Sequence, residues 1–357
     1  MARIETVLGP IAPADLGAAM SHVHLTLDIS CWYAPPTDPE VARVAGKPLG
    51  LENLGLARRN GLVVRDNLVQ SDVELTIREA AEFKRAGGGA LVDMELPGIG
   101  RDVAALQRIS RATGLHVIAS TGFYTEASHP PEVAALDVGA LADAMVRELT
   151  EGIGDSGVRA GNIGEIGCSG MPDVPCLPGE EKVLRGAARA QARTGASLTV
   201  HPNGGTHGSR ETPKHHLDFY LDLLEAEGAD LSKVYLSHMG FYSADVARHV
   251  LRRGLGFVSY DHFGHEEYYE IVGPGRAFPR DKEEIDAVMR LLEAGHADRV
   301  LIGNEIGWKT CYKAFGGWGY AHVLEHVVPW LRDCGASEAQ IQQVLVDNPA
   351  RLHQLAK

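Results

Sequence analysis

The sequence predicts a closed (β/α)8 barrel of the TIM type with long loops on its C-terminal face, and three observations point there. Short apolar, β-rich runs alternate eight times with longer segments of helical periodicity, the pattern of repeated strand-helix units around a parallel sheet. Histidine and acidic side chains recur at the ends of those apolar runs, and in a barrel the strand ends all open onto one face. The chain has 357 residues, 45% of them hydrophobic, enough for one large core. Residues 1–357 are therefore read as a single barrel domain, in which 1–18 lead in, 26–70 form a long loop after the first strand, and 319–357 supply closing helices.

Strands are expected at 19–25, 89–95, 115–120, 161–167, 196–201, 233–238, 255–261 and 299–304. Helical periodicity places helices between them at 72–85, 102–112, 140–151, 180–194, 215–227, 244–252 and 283–294. Glycines at 87–89, 114, 195, 228, 254 and 295 follow these helices as C-caps. An open, doubly wound sheet competes with the barrel, but no strand runs directly into G-x-G-x-x-G, and Gly87, Gly88 and Gly89 precede their strand. A dinucleotide site is therefore not expected. Three connections are long, 26–70, 262–280 and 306–318, which suits lids or binding walls. The last of them is rich in glycine and aromatic residues. Helices at 319–333 and 337–346 follow, with Asn348 and Pro349 expected to end the last one.

The formal charge of -13 and a pI near 5.6 speak against nucleic acid or an anionic membrane surface as partner, since either requires a basic patch. The N-terminus has no apolar signal-like core, and no stretch approaches the ~20 apolar residues of a membrane span. A cytoplasmic protein acting on a small molecule is the expectation. Five scattered cysteines without a C-x-x-C pair indicate reduced, mostly buried thiols rather than a disulfide framework.

His22 and His24 are separated by one residue, so a strand's period of two puts both on one face. Glu165, His201, His238 and Glu305 close later apolar runs, and a barrel brings the ends of the first, fourth, fifth, sixth and eighth strands together. A single strand-end histidine is more often packing than a ligand. Six such groups at five strand ends form a donor set for two divalent ions. His22, His24 and Glu305 would hold one, His201 and His238 the other, with Glu165 bridging. Imidazole and carboxylate donors suit Zn²⁺, taken here as the expected metal, as well as Mn²⁺, Co²⁺ or Fe²⁺. Asp261 and His262 end the seventh strand and are candidates for lining the site. His215, His216, His322, His326 and His353 fall on helices and are read as packing or surface groups. The string from His265 through Glu266, Glu267, Tyr268 and Tyr269 lacks the second histidine of H-E-x-x-H and is not a zincin motif.

Several longer motifs make the chain resemble the phosphotriesterase-related family of the amidohydrolase superfamily over nearly its whole length. They include Thr6 to Pro10, the His22/His24 pair, Gly98 to Asp102, Thr121 to Tyr124, Gly164 to Gly167, Ser237 to Gly240, Gly316 to Tyr320 and Asn348 to Arg351. The resemblance implies a binuclear metal-dependent hydrolase, commonly a homodimer, and does not fix the substrate. Three departures stand out. Val23 occupies the middle of a His-x-His that is commonly His-Glu-His. Glu165 stands where many members carry a carboxylated lysine and resembles the glutamate-bridged subgroup. Glu305 stands where the family has aspartate.

The expected reaction is cleavage of a carboxylic ester, lactone or amide by a metal-bridging hydroxide, with Glu305 moving the proton from nucleophile to leaving group. Tyr124, after the third strand, is expected to hydrogen-bond the carbonyl or leaving oxygen. Arg276, Arg280, Lys309 and Lys313 lie on the last two long loops and are candidates for an anionic substrate, such as a phosphorylated lactone or an N-acyl amino or sulfonic acid. Phosphoester hydrolysis is the alternative reaction, and a catalytically weak ligand-binding barrel is the alternative of another class.

Overall fold

The computed structural model describes residues 2–170, 174–202, 214–268, 270 and 276–355. Eight parallel barrel strands run in chain order: β1 (Ala18–Val23), β2 (Gly88–Asp93), the third in two pieces, β3 (His116–Ile118) and β4 (Ser120–Thr121), then β5 (Asn162–Gly167), β6 (Ser197–His201), β7 (Val234–Leu236), β8 (Phe257–Tyr260) and β9 (Val300–Ile302). Each pairs with the next, apart from the break at Ala119 within the third. The last strand closes on the first: Ser21 Oγ donates to the Ile302 carbonyl at 2.9 Å, and the Asn304 and Glu305 amides donate to the His22 carbonyl at 3.3 and 3.2 Å. The barrel expectation is met.

Two short helices, α1 (Pro39–Ala45) and α2 (Leu54–Arg59), lie within the long connection after β1 and pack a small core of Ala45, Leu49, Ala57, Val63 and Val64. The outer helices are α3 (Val73–Arg85), α4 (Val103–Thr113), α5 (Val138–Thr150), α6 (Pro178–Thr194), α7 (Lys214–Ala226), α8 (Ala244–Arg252) and α9 (Asp281–Glu293), within a few residues of expectation. Asp72, Asp102 and Asp137 start α3, α4 and α5 by accepting from the amides of Leu75, Ala105 and Ala140, which satisfies helix donors that have no intrahelical acceptor. The chain closes with α10 (Val328–Asp333), α11 (Glu338–Gln342) and α12 (Asn348–His353). Here the expectation is corrected. Asn348 and Pro349 open α12 rather than ending a helix, because a wide π turn over Gln343–Asp347 precedes them and Pro349 falls in the first turn, where its missing N–H is not needed.

Strand alternation divides the interior into two layers. Met20, Leu91 and Val117 point outward and pack with Phe83, Leu106 and Ile109 of the helices. Their neighbours Ala19, Ala90, Val92 and Ile118 face inward and pack with Ile4, Leu16, Tyr235 and Leu352, which plug the lower end of the barrel. Polar residues also fill the interior. Asn162 Nδ2 donates to Ser120 Oγ at 3.2 Å and Thr199 Oγ1 at 3.1 Å, and Ser197 Oγ donates to Asn162 Oδ1 at 2.8 Å. This network ties three strands together beneath the site.

His353 belongs to that lower plug, fully buried, with Nδ1 2.9 Å from Ser197 Oγ. Burial, helped by the Lys233 ammonium, lowers its pKa from 6.5 to about 3. The unfolded chain binds this proton between those values and the native state does not, so stability is full above pH 6.5 and falls as pH drops toward 3. Urea titrations across that window should show His353→Gln losing up to ~1.4 kcal/mol per pH unit of the slope. An unchanged slope would show that His353 does not carry this linkage.

Candidate metal centre

The strand ends converge as the sequence spacing requires. His22 belongs to β1 and His24 follows it, Glu165 sits in β5, His201 ends β6, and His238 and Glu305 come just after β7 and β9. Val23, between the paired histidines, is fully buried in the outer core, so the two imidazoles share the inner face. Close approach of β9 to β1 depends on Gly303, where a Cβ would lie 2.8 Å from the His22 carbonyl oxygen and 3.0 Å from Asp261 Cβ. His238 and Glu305 have left-handed backbones, φ 58° and 35°, an unfavourable conformation for residues with a Cβ and one that clusters at functional positions.

Glu165 is the hub. Its Oε1 is 3.6 Å from His24 Nε2, while its Oε2 is 2.9 Å from His201 Nδ1, 3.4 Å from His238 Nε2 and 3.5 Å from His22 Nε2. Glu305 spans the first pair, with Oε2 2.6 Å from His22 Nε2 and Oε1 3.3 Å from His24 Nε2. Donor atoms of His22, His24, Glu165 and Glu305 lie within 4.8 Å of one another, and so do those of Glu165, His201 and His238. These are two candidate metal-binding groups that share one carboxylate. Their fit to a cation also shows in what they lack: both His22 nitrogens and Glu305 Oε2 are buried without a hydrogen bond of acceptable geometry among the described residues.

The electrostatics favour positive charge at this point. Burial alone would push His22 down, but the Glu305 and Glu165 carboxylates outweigh it and raise its pKa to about 9. Against the same burial, Glu305 and Glu95 hold His24, and Asp261 and Glu305 hold His238, well above the ordinary histidine range. Burial would raise Glu165 and Glu305, yet the surrounding imidazoles hold both well below the usual carboxylate range. A site that attracts protons this strongly offers a divalent cation the same field.

Behind the donors stand two carboxylates that sequence reasoning did not assign as orienting groups. Asp261 Oδ1 accepts from His238 Nδ1 at 2.8 Å and from the His238 amide at 2.9 Å. Glu95 Oε1 lies 3.2 Å from His24 Nδ1 and accepts from the Leu25 amide at 2.9 Å. Each fixes an imidazole with Nε2 toward the centre. The sequence marks Asp261 only as a candidate for lining the site, and Glu95 carries one signal, an acid at the end of the second apolar run.

The donors open into a cavity whose wall includes Leu27, Ile29, Trp32, Phe241, Phe278 and Trp308. His262 and Tyr124 line it as well, and the Tyr124 hydroxyl lies 3.4 Å from His201 Nε2. The expected cations are not on this wall. Lys309 pairs with Asp66 at 2.7 Å, Lys313 with Glu82 at 2.6 Å and Glu325 at 3.2 Å, and Arg280 with Glu266 at 2.8 Å. Arg276 is exposed and outside the described lining. Long flexible stems on loops turned to acidic neighbours instead of the cavity.

Residues 2–353 match the profile of the Phosphotriesterase family. The chain belongs to that family. Among relatives, the human N-acetyltaurine hydrolase is 34% identical over 349 residues, covering 97% of this chain and 96% of that protein. A resiniferatoxin-binding protein from Rhodobacter sphaeroides is 38% identical, with a TM-score of 0.89 over 98% of this chain and 94% of that one. A mutant of a phosphotriesterase-like lactonase from Deinococcus radiodurans is 27% identical, with a TM-score of 0.71 over 98% and 99%. As a member of the phosphotriesterase family the chain is a hydrolase, as expected from the resemblance. Glu305 reaches both imidazoles of the first pair from its left-handed backbone.

Removing an orienting carboxylate should loosen the donors without deleting one. Asp261→Asn and Glu95→Gln are each expected to weaken Zn²⁺ affinity ~10- to 100-fold in competition with a chromophoric chelator. Affinity equal to the parent would show that the imidazoles hold their orientation unaided.

Proposed function

We propose that this hydrolase of the phosphotriesterase family is a binuclear zinc enzyme that cleaves the amide bond of a small N-acylated amine, with lactones and simple esters as secondary substrates. The observation that carries the reading is the pair of donor groups sharing Glu165, set at the base of a cavity with an apolar wall. His22, His24 and Glu305 would hold one ion, His201 and His238 the other, and Glu165 both. Bound divalent ions would supply Lewis acidity toward the carbonyl and make water nucleophilic near neutral pH.

The chain's own residues account for the rest. Glu305 is the most exposed carboxylate of the set, its side chain 15% accessible on the cavity side, so it can take a proton from attacking water and return it to the leaving nitrogen. Amides need that step, because an amine leaves only once protonated. The Tyr124 hydroxyl, beside His201, is placed to donate to the acyl oxygen. Ile29, Trp32, Phe241 and Phe278 exclude water from the acyl group and strengthen these polar contacts. Support for an amide comes from the human relative named for N-acetyltaurine hydrolysis. With no lysine or arginine among the described lining residues, the far end of such a substrate meets neutral groups such as the Thr125 hydroxyl.

A second reading, a ligand-binding barrel with weak chemistry, is favoured by the name of the Rhodobacter neighbour. Two measurements separate the readings. Elemental analysis of protein purified without chelator should give about two equivalents of metal per chain, falling in His22→Ala and Glu165→Ala. On a panel of N-acetyltaurine, N-acyl amino acids, lactones and aryl phosphotriesters, the amides should turn over best, and Glu305→Gln should lower kcat ~10²- to 10⁴-fold. Turnover of phosphotriesters alone would overturn the carbonyl reading. A rise in turnover in Glu305→Asp, from a parent that is nearly inactive, would favour the ligand-binding barrel.

A further inference from the structure

The acid-rich string after β8, excluded above as a zincin motif, meets a thiol from a different loop. His265 and Glu267 follow β8 and Cys311 follows β9; all three are buried, at 2%, 7% and 4% exposure, and one donor atom from each lies within 4.8 Å of the others. Cys311 Sγ stands 3.6 Å from His265 Nε2. Donors on a common tetrahedral zinc, at ~2.0 to 2.3 Å from the ion, stand roughly 3.3 to 3.8 Å apart, so this pair already has ligand spacing. Glu267 Oε2 is buried without a hydrogen-bond partner among the described residues. A buried polar group left so costs ~1 to 3 kcal/mol, and more if charged.

We propose that His265, Glu267 and Cys311 form a further metal site, sharing no ligand with the barrel centre and taking a borderline-soft divalent ion such as Zn²⁺ or Co²⁺. A thiolate with an imidazole selects against Mg²⁺ and Ca²⁺, which take oxygen donors, and three protein ligands leave a fourth position for water. Binding releases the Cys311 thiol proton to solvent and leaves the oxidation state of the metal unchanged. The His265 Nε2 now donates to the carbonyl of Glu305, and the ion takes that partner's place. Occupancy is thereby linked to the segment that carries Glu305. The site stands on its own donor set and does not depend on the hydrolase reading.

The test is optical and needs no substrate. The full chain is loaded with Co²⁺ and its near-ultraviolet spectrum followed during titration. Thiolate ligation gives a sulfur-to-cobalt charge-transfer band, which the barrel centre, built of imidazoles and carboxylates, does not produce. The band should saturate with about one equivalent, disappear in Cys311→Ser, and require at least ~10-fold more free Co²⁺ in Glu267→Gln. No band in the parent at saturating Co²⁺, or a band that survives in Cys311→Ser, would overturn the proposal. Circular dichroism checks the fold of Cys311→Ser; if that variant does not fold, unchanged half-saturation in Glu267→Gln overturns it instead.

Discussion

A carboxylate buried to 1% exposure among four imidazoles is the constraint on which the rest of this structure depends. Charge in a protein interior is tolerated only where it is compensated and held in place. Glu165 obtains that compensation from the ends of three strands, β1, β6 and β7, and those ends must therefore finish at one level of the barrel. The closure of β9 on β1 through the His22 carbonyl and the close packing at Gly303 serve that alignment. Below, the Asn162 network joins β5 to its neighbours, so the strand that carries Glu165 is fixed from underneath by hydrogen bonds rather than by apolar packing alone.

The compensation is arranged in shells. Glu95 and Asp261 hold two of the imidazoles from behind and are themselves held by backbone amides, so the charge pattern alternates outward from the centre: anion, imidazole, anion, amide. Low effective dielectric makes each layer strong when complete and costly when broken. That is why left-handed backbones at His238 and Glu305 persist: the network over-determines where their side chains must be.

The donors were legible in the sequence because they obey strand geometry. His22 and His24 share a face through a period of two, and Glu165, His201, His238 and Glu305 stand at the ends of recognisable apolar runs. Glu95 was not legible, since an acid at a strand end looks the same whether it faces a buried imidazole or water. The loop cations show the limit from the other side. Lys309 and Lys313 do lie on the loop after β9, as read, but their four-carbon stems reach past the rim to Asp66, Glu82 and Glu325. Loop membership fixes a residue's neighbourhood, not the direction of a flexible side chain. The turn at Pro349 failed for a related reason, because a preceding π turn changes what proline does to a helix and leaves no mark in the apolar pattern.

The long connection after β1 does not hang over the site as a free flap. Lys309 pairs with Asp66, the Thr310 amide donates to Asn67 Oδ1 at 3.0 Å, and Gln70 Nε2 donates to the Ile306 carbonyl at 2.7 Å, with Asn67 and Gln70 fully or nearly fully buried. Three rungs thus join the segment that brings Trp32 to the segment that brings Glu305 and Trp308. The aromatic cavity wall and Glu305 are parts of one braced unit. Divergence within such a barrel is consequently constrained in a particular way: a new substrate cannot be accommodated by rewriting one loop while its partner stands still, and inherited changes on the two segments must arrive together.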